Sequence, residues 1–211
     1  TKNFNQKLNG GTWVLHGTYS FTAGVTKYVE ISAAKGIANA DAVRIVAAGT
    51  PAASVDPTLV AAFNFDEGTG TKLTDRSSKA NNGVISGATW ASVGRYGKAL
   101  SFNGVNSWVT INDAASLDLT SSVTISAWVY PTAVQTGWTT VIVKEQPGST
   151  PYYLYANSTT NFPAGGIIAG GFERTVLGKS TLPINTWTHI ATSYDGATQK
   201  FYMNGVLISS R

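Results

Sequence analysis

The chain of 211 residues contains no cysteine. A disulfide framework and a thiolate metal site are thereby excluded, and no compartment is. Charge is also scarce: Asp, Glu, Lys and Arg together make up 12% of the residues. The formal net charge is +4. The cations are scattered, and no window forms the basic patch that tracks a phosphate backbone, so nucleic acid is not an expected partner. Histidine occurs twice, as His16 and His189 in separate segments. That is poor material for zinc or for a Ser-His-Asp triad, and no G-x-S-x-G motif is present. No apolar run is long enough to span a bilayer and no signal peptide is visible, so membrane insertion is not expected.

What is present is apolar, strand-forming sequence. Hydrophobic residues make up 43%, enough for a sizeable core. Nothing reads as a long helix: Gly36, Asn39 and the run Val43-Arg44-Ile45-Val46 break any period near 3.6. TWVLHGTYSF, YVEIS and AVRIV read as strands in the first part. AAGTPAASVDP (47–57) then brings two prolines and small residues, the signature of a linker. The expected organisation is a first unit over 1–48, a linker over 49–58 and a second unit over 59–211.

The second unit carries ten strand-like runs: LVAAFNF, NNGVISG, KALSFNG, SWVTIN, SVTISAWVY, TTVIVKE, YYLYAN, GGIIAGGF, TWTHIATSYD and KFYMNG. Turn residues punctuate them, and Asp195-Gly196 and Asn204-Gly205 suit hairpins with positive φ. Short, evenly spaced strands of this kind predict an all-β, antiparallel sandwich.

Four segments in order, AAFNFDEGTGTKLTDRSSKANNGVISGATW, GRYGKALSFNGVNSWVTI, SVTISAWVYP and NTWTHIATSYDGATQKFYMNGVLI, resemble the laminin G-like, concanavalin A-like jelly-roll family. The resemblance spans Leu59–Ile208 and is specific for fold, while the family's ligands vary. GGTWVLHGTYSFTAG, YVEIS and ADAVRIV (Gly10–Val46) are similar to the C-terminal half of the golvesin-like β-sandwich module. Set against both families, each unit is expected to be incomplete. The chain is then a piece of a larger secreted or cell-surface protein, or its half-domains are completed by copies of itself through open sheet edges.

The residues do not spell out an enzyme. A glycosidase needs two carboxylates about 5–10 Å apart across a sugar. Most of the eleven acids lie in turn sequences, and Glu145 and Glu173 read as solvated charges on strands. His189 reads as a packed histidine on a core strand, with Trp128 and Trp187 also in core motifs. Calcium has a better candidate loop in Asp75-Arg76-Ser77-Ser78-Lys79-Ala80-Asn81-Asn82-Gly83. The family resemblance implies a structural Ca²⁺ held by Asp75 and Asn82; an Asx-turn held by its own side chains is the other reading. A polysaccharide or glycan would need aromatic faces with polar neighbours. Trp138 in a loop, Tyr153 and Tyr155 on one strand face, and Arg174 on the next strand are the expected ligand-binding residues; aromatics that merely fill a sandwich face are the alternative. The functional expectation is a non-catalytic extracellular carbohydrate-binding or adhesion module. The runner-up is a structural segment of a surface fibre assembled by strand exchange.

Overall fold

The computed structural model describes residues 56–211. The chain divides into two units, Thr1–Asp56 and Pro57–Arg211, and the account that follows concerns the second. The readings of His16 and of the first-unit strands lie outside the described residues.

Thirteen strands follow one another. They are β1 (Lys72–Leu73), β2 (Gly83–Ser86), β3 (Thr89–Ala91), β4 (Ala99–Ser101), β5 (Trp108–Ile111), β6 (Val123–Val129), β7 (Thr139–Gln146), β8 (Ser149–Asn157), β9 (Ala164–Ala169), β10 (Phe172–Leu177), β11 (Thr188–Tyr194), β12 (Gln199–Met203) and β13 (Val206–Ser210). Among the described residues the one helical element is a 3₁₀ turn, Ala115–Leu117, and no helix is long and apolar enough to cross a membrane.

Two four-stranded antiparallel sheets, ordered β10-β9-β8-β7 and β13-β12-β11-β6, face each other across a common core. A three-stranded sheet β1-β2-β5 and the β3-β4 hairpin accompany them. The reason lies in the pleat, which sends alternate residues to opposite faces. In β6, Val123 and Ile125 are buried while Thr124 and Ser126 are exposed. In β8, Tyr152, Leu154 and Ala156 enter the core, where they meet Ile167 of β9, Val176 of β10, Ile190 of β11 and Phe201 of β12.

Polar groups bridge the two layers where they meet. Gln199 Nε2 donates to the Gly165 carbonyl at 3.0 Å, and Ser209 Oγ donates to the Leu177 carbonyl at 2.6 Å. Tyr152 lies in the core yet its hydroxyl donates to the Leu117 carbonyl at 2.8 Å, so burial leaves no orphaned phenol. Such bonds satisfy groups that would otherwise cost about 1–3 kcal/mol each to bury.

The anticipated hairpin turns form. Asn204 and Gly205 stand at φ 49° and 78°, the double positive φ of a tight turn between β12 and β13. The Asp195 carboxylate accepts from the Ala197 and Thr198 amides and shapes the turn before β12. Two expectations fail on local grounds. LVAAFNF forms no strand: the Ala62 amide donates to the Asp75 carboxylate at 2.8 Å rather than to a strand, and Phe65 at φ 58° breaks the extension. GGIIAGGF is not one strand either. Gly170 and Gly171, at φ 62° and 78°, reverse the chain, and Phe172 opens the unanticipated strand β10.

The two sheets approach closely at Gly165. A Cβ there would lie 2.3 Å from Thr192 Cβ on the opposing sheet, and both positions are buried. Gly165→Ala should therefore force the layers apart and destabilise the fold by about 1–3 kcal/mol, read by urea unfolding. An unchanged midpoint would mean that the sheets can spread at no cost.

Candidate functional site

β8 builds two surfaces at once. Its core residues alternate with Tyr153 and Tyr155, which project from the outer face of the sheet, as their spacing predicts. Their rings stand 4.6 Å apart at 37°. Trp138, in the loop before β7, adds a third ring 5.0 Å from Tyr155. The three form one continuous aromatic strip.

Each ring has a different role by exposure. Trp138 is 54% exposed and Tyr155 is half-buried. Tyr153 is 2% exposed, so it supports the strip from below and presents no face of its own. Its ring crosses Gly166 of β9, where a Cβ would come within 1.8 Å of it. The Tyr153 hydroxyl donates to Glu173 Oε1 at 2.7 Å and shares a hydrogen with Thr175 Oγ1 at 2.8 Å. Burial holds its phenol well above the usual tyrosine range, so it is a neutral donor at any physiological pH.

Trp138 is held in place by a residue that the sequence reading passed over. Asn157 Nδ2 donates to the Gly137 carbonyl at 2.8 Å, and Gly137 turns the loop at φ 63°. Asn157 also begins an Asn-Ser-Thr triplet, the pattern of a glycosylation acceptor. At 3% exposure, with its amide donating to Gly137 and Ser158, it is a structural clamp.

Arg174 does not join the strip. It pairs with Ile167, a core residue, so its side chain leaves the sheet on the face opposite to Tyr153. The residue that faces the strip from β10 is Glu173. On the far side, β7 pairs Val143 with Tyr153 and Lys144 with Tyr152, and its register then shifts at Glu145, an exposed residue. Burial raises the Tyr155 phenol, and Glu173 and Glu145 raise it further. Lys144 turns away to an ion pair with Asp113 and a second contact of 3.4 Å with Asp118.

The Asp75–Gly83 loop resolves differently. Asp75 is 7% exposed and accepts four hydrogen bonds. Oδ1 takes the Ala62 and Ser77 amides, both at 2.8 Å. Oδ2 takes the Ser77 hydroxyl at 2.6 Å and the Asn81 amide at 2.8 Å. Asn82 Oδ1 accepts from the Asp75 amide at 3.1 Å, and its Nδ2 donates to Ala80. A calcium ion needs six to eight inward-turned oxygens. Here the Asp75 carboxylate is saturated by N–H and O–H donors and the Asn82 amide oxygen is turned to the Asp75 amide, so this arrangement of Asp75 and Asn82 does not fit the ion. No group of three His, Cys, Asp or Glu that could hold a metal occurs among the described residues.

A second set of aromatics lies on the outer face of the other sheet. Trp128, expected in the core, is 36% exposed and pairs with His189 across β6 and β11. Their rings stand 5.3 Å apart, and burial lowers the His189 pKa. Tyr96 meets Trp128 edge-on at 5.9 Å, and the Arg95 guanidinium lies 4.8 Å from the Trp128 ring centre. Trp187 packs on Tyr130 at 5.3 Å. Trp128 stays outside because its neighbours on β6, Ala127 and Val129, take the inward positions. The depression between Leu119, Tyr152, Ile167 and Tyr194 holds little more than a water.

Comparison with known proteins accords with this geometry. The family model of the concanavalin A-like lectin/glucanases superfamily matches residues 103–211, more than half of the chain, and the chain belongs to that superfamily. The golvesin C-terminal domain model matches residues 1–47. No curated protein matches the chain. Among solved structures, domain 4 of AbnA is similar at 24% identity and a TM-score of 0.53, covering 65% of this chain and 68% of its own. It is described as part of a GH43 extracellular arabinanase from Geobacillus stearothermophilus, in complex with arabinotriose. An S-layer domain-containing protein from Clostridium thermocellum ATCC 27405 aligns at 23% identity and a TM-score of 0.45, covering 72% of this chain and 71% of its own.

The Asp75 network makes a stability prediction. Burial pushes its carboxyl up, but the four hydrogen bonds outweigh burial and hold it below the ordinary range. The stabilisation is then complete above the unfolded-state pKa of about 3.9 and is lost as pH falls through the lower folded value. Asp75→Asn should cost about 1–3 kcal/mol at pH 7 and flatten this acid dependence, while a calcium chelator should leave the wild-type melting temperature unchanged. Urea unfolding at pH 7 and below pH 4, with and without chelator, checks all three.

Proposed function

We propose that this concanavalin A-like domain is a non-catalytic, extracellular carbohydrate-binding module that holds a polysaccharide chain against Trp138 and Tyr155. The observation that carries the reading is the aromatic strip itself. A 54%-exposed tryptophan inclined at 56° against a tyrosine, braced from behind by Asn157 and Tyr153, is an apolar surface on which a sugar's C–H face can lie. Ordinary packing does not need Trp138 there, because the core closes without it. Glu173, fixed by the Tyr153 hydroxyl, offers an acceptor for sugar hydroxyls beside the strip.

The surface suits binding better than hydrolysis. Glu145 and Glu173 are both exposed, and Glu173 is already engaged by the Tyr153 hydroxyl. Superfamily membership and the arabinotriose bound by the arabinanase domain are consistent with a sugar ligand on this fold. The golvesin match over 1–47 supports an extracellular or cell-surface setting.

Trp138→Ala should weaken retention on immobilised polysaccharide about tenfold or more, because stacking one aromatic ring is worth that much. The melting temperature should hold, since the ring lies outside the core. Affinity electrophoresis against a polysaccharide panel, beside a thermal melt, reads both; full retention by Trp138→Ala would remove the strip from the site.

A further inference from the structure

We infer that the Trp138–Tyr155 strip selects uncharged polysaccharide and rejects chains bearing carboxylates, with Glu145 and Glu173 as the residues that set this choice. The inference rests on the reading of the strip as a sugar platform and adds its ligand class.

The charges on this face carry the argument. Glu173 is exposed, and its position is fixed by the bond from the Tyr153 hydroxyl to Oε1. Its second oxygen, Oε2, makes no hydrogen bond among the described residues. Glu145 is exposed on β7, at the register shift between Lys144 and Gln146. Both carboxylates act on the Tyr155 phenol, so they lie within electrostatic reach of the ring on which a sugar would rest.

The cations that could balance them point elsewhere. Arg174 leaves β10 on the core side of the sheet with Ile167. Lys144 leaves β7 with Tyr152 and is engaged by Asp113 and Asp118. On β10 the pleat therefore separates the two signs of charge, Glu173 toward the platform and Arg174 away from it.

A neutral sugar meets this face well. Its ring stacks on Trp138 and Tyr155, and its hydroxyls donate to Glu173 and Glu145 in charge-assisted hydrogen bonds. A uronic acid residue in the same place brings a third negative charge beside those of Glu145 and Glu173. Like-charge juxtaposition of this kind discriminates by repulsion against the wrong partner as well as by attraction to the right one.

The test uses the full chain and two groups of immobilised polysaccharides. Arabinan, xylan, galactan and mixed-linkage glucan form the neutral group; polygalacturonate, alginate and hyaluronate form the acidic one. Retention should be confined to neutral polymers. Glu145→Gln/Glu173→Gln keeps the shape and the Tyr153 acceptor, and should raise retention on acidic polymers at least about fivefold at low salt, an advantage that shrinks in 1 M salt. A melt of the double variant establishes that it is folded; if it is not, the two single variants are measured instead. Equal or stronger wild-type retention on acidic polymers, abolished by Trp138→Ala, overturns the selectivity and leaves the platform standing. An unchanged neutral-to-acidic ratio in folded glutamine variants overturns the assignment to Glu145 and Glu173. Retention on neither group overturns the platform and this inference together.

Discussion

Two adjacent glycines on β9 allow both faces of one sheet to be built at the same place. Gly165 pairs with Leu154 on the inner face, and its missing side chain lets Thr192 of the opposing sheet close on the backbone. Gly166 pairs with Tyr153 on the outer face, and its missing side chain lets the tyrosine ring lie flat across the strand. The first glycine sets the sandwich spacing. The second lays the floor of the aromatic strip. Glycine inside a strand weakens it, and here the cost is offset by close packing on both sides.

The strip inherits its rigidity from that arrangement. Tyr153 has its ring on Gly166 and Tyr155, and its hydroxyl on Glu173 and Thr175. It touches no ligand surface, yet it orders the groups that would. Tyr155 and Glu173 are fixed by strand and hydrogen bond, and Trp138 by the Asn157 clamp on its loop. A surface held in shape before a ligand arrives loses little side-chain freedom on binding, which matters most where there is no pocket to bury the ligand.

Much of this was legible in the sequence, because the signals were local. Alternation gave β6, β7, β8, β11 and β12, and placed Tyr153 and Tyr155 on one face. Asn204-Gly205 announced its turn. The failures share a different cause: they depend on registers that only pairing fixes. Arg174 belongs to a strand whose phase is set by the Gly170-Gly171 turn, and a shift of one residue would have sent it to the platform and Glu173 to the core side. Trp128 looked like core by type, but Val123, Ile125 and Ala127 hold the inward positions of β6 and leave it outside. LVAAFNF had strand composition, yet its Ala62 amide is taken by a carboxylate thirteen residues away. Asn157 was visible only as part of a common triplet, since its partner, the Gly137 carbonyl, lies across a hairpin.

Whole-chain charge gives no guide to the site. The protein carries a formal +4, which suggests an acidic partner if charge is read as a sum. Partner choice is governed instead by the charges within about a Debye length of the contact, roughly 8–10 Å in physiological salt. Glu173 and Glu145 act on the Tyr155 phenol of the strip, while Arg174 and Lys144 pair with the core-side residues Ile167 and Tyr152. A basic protein can thus present an acidic platform without any long-range design. The same pleat that divides apolar from polar residues divides the two signs of charge, and the register of β10 decides which sign a ligand meets.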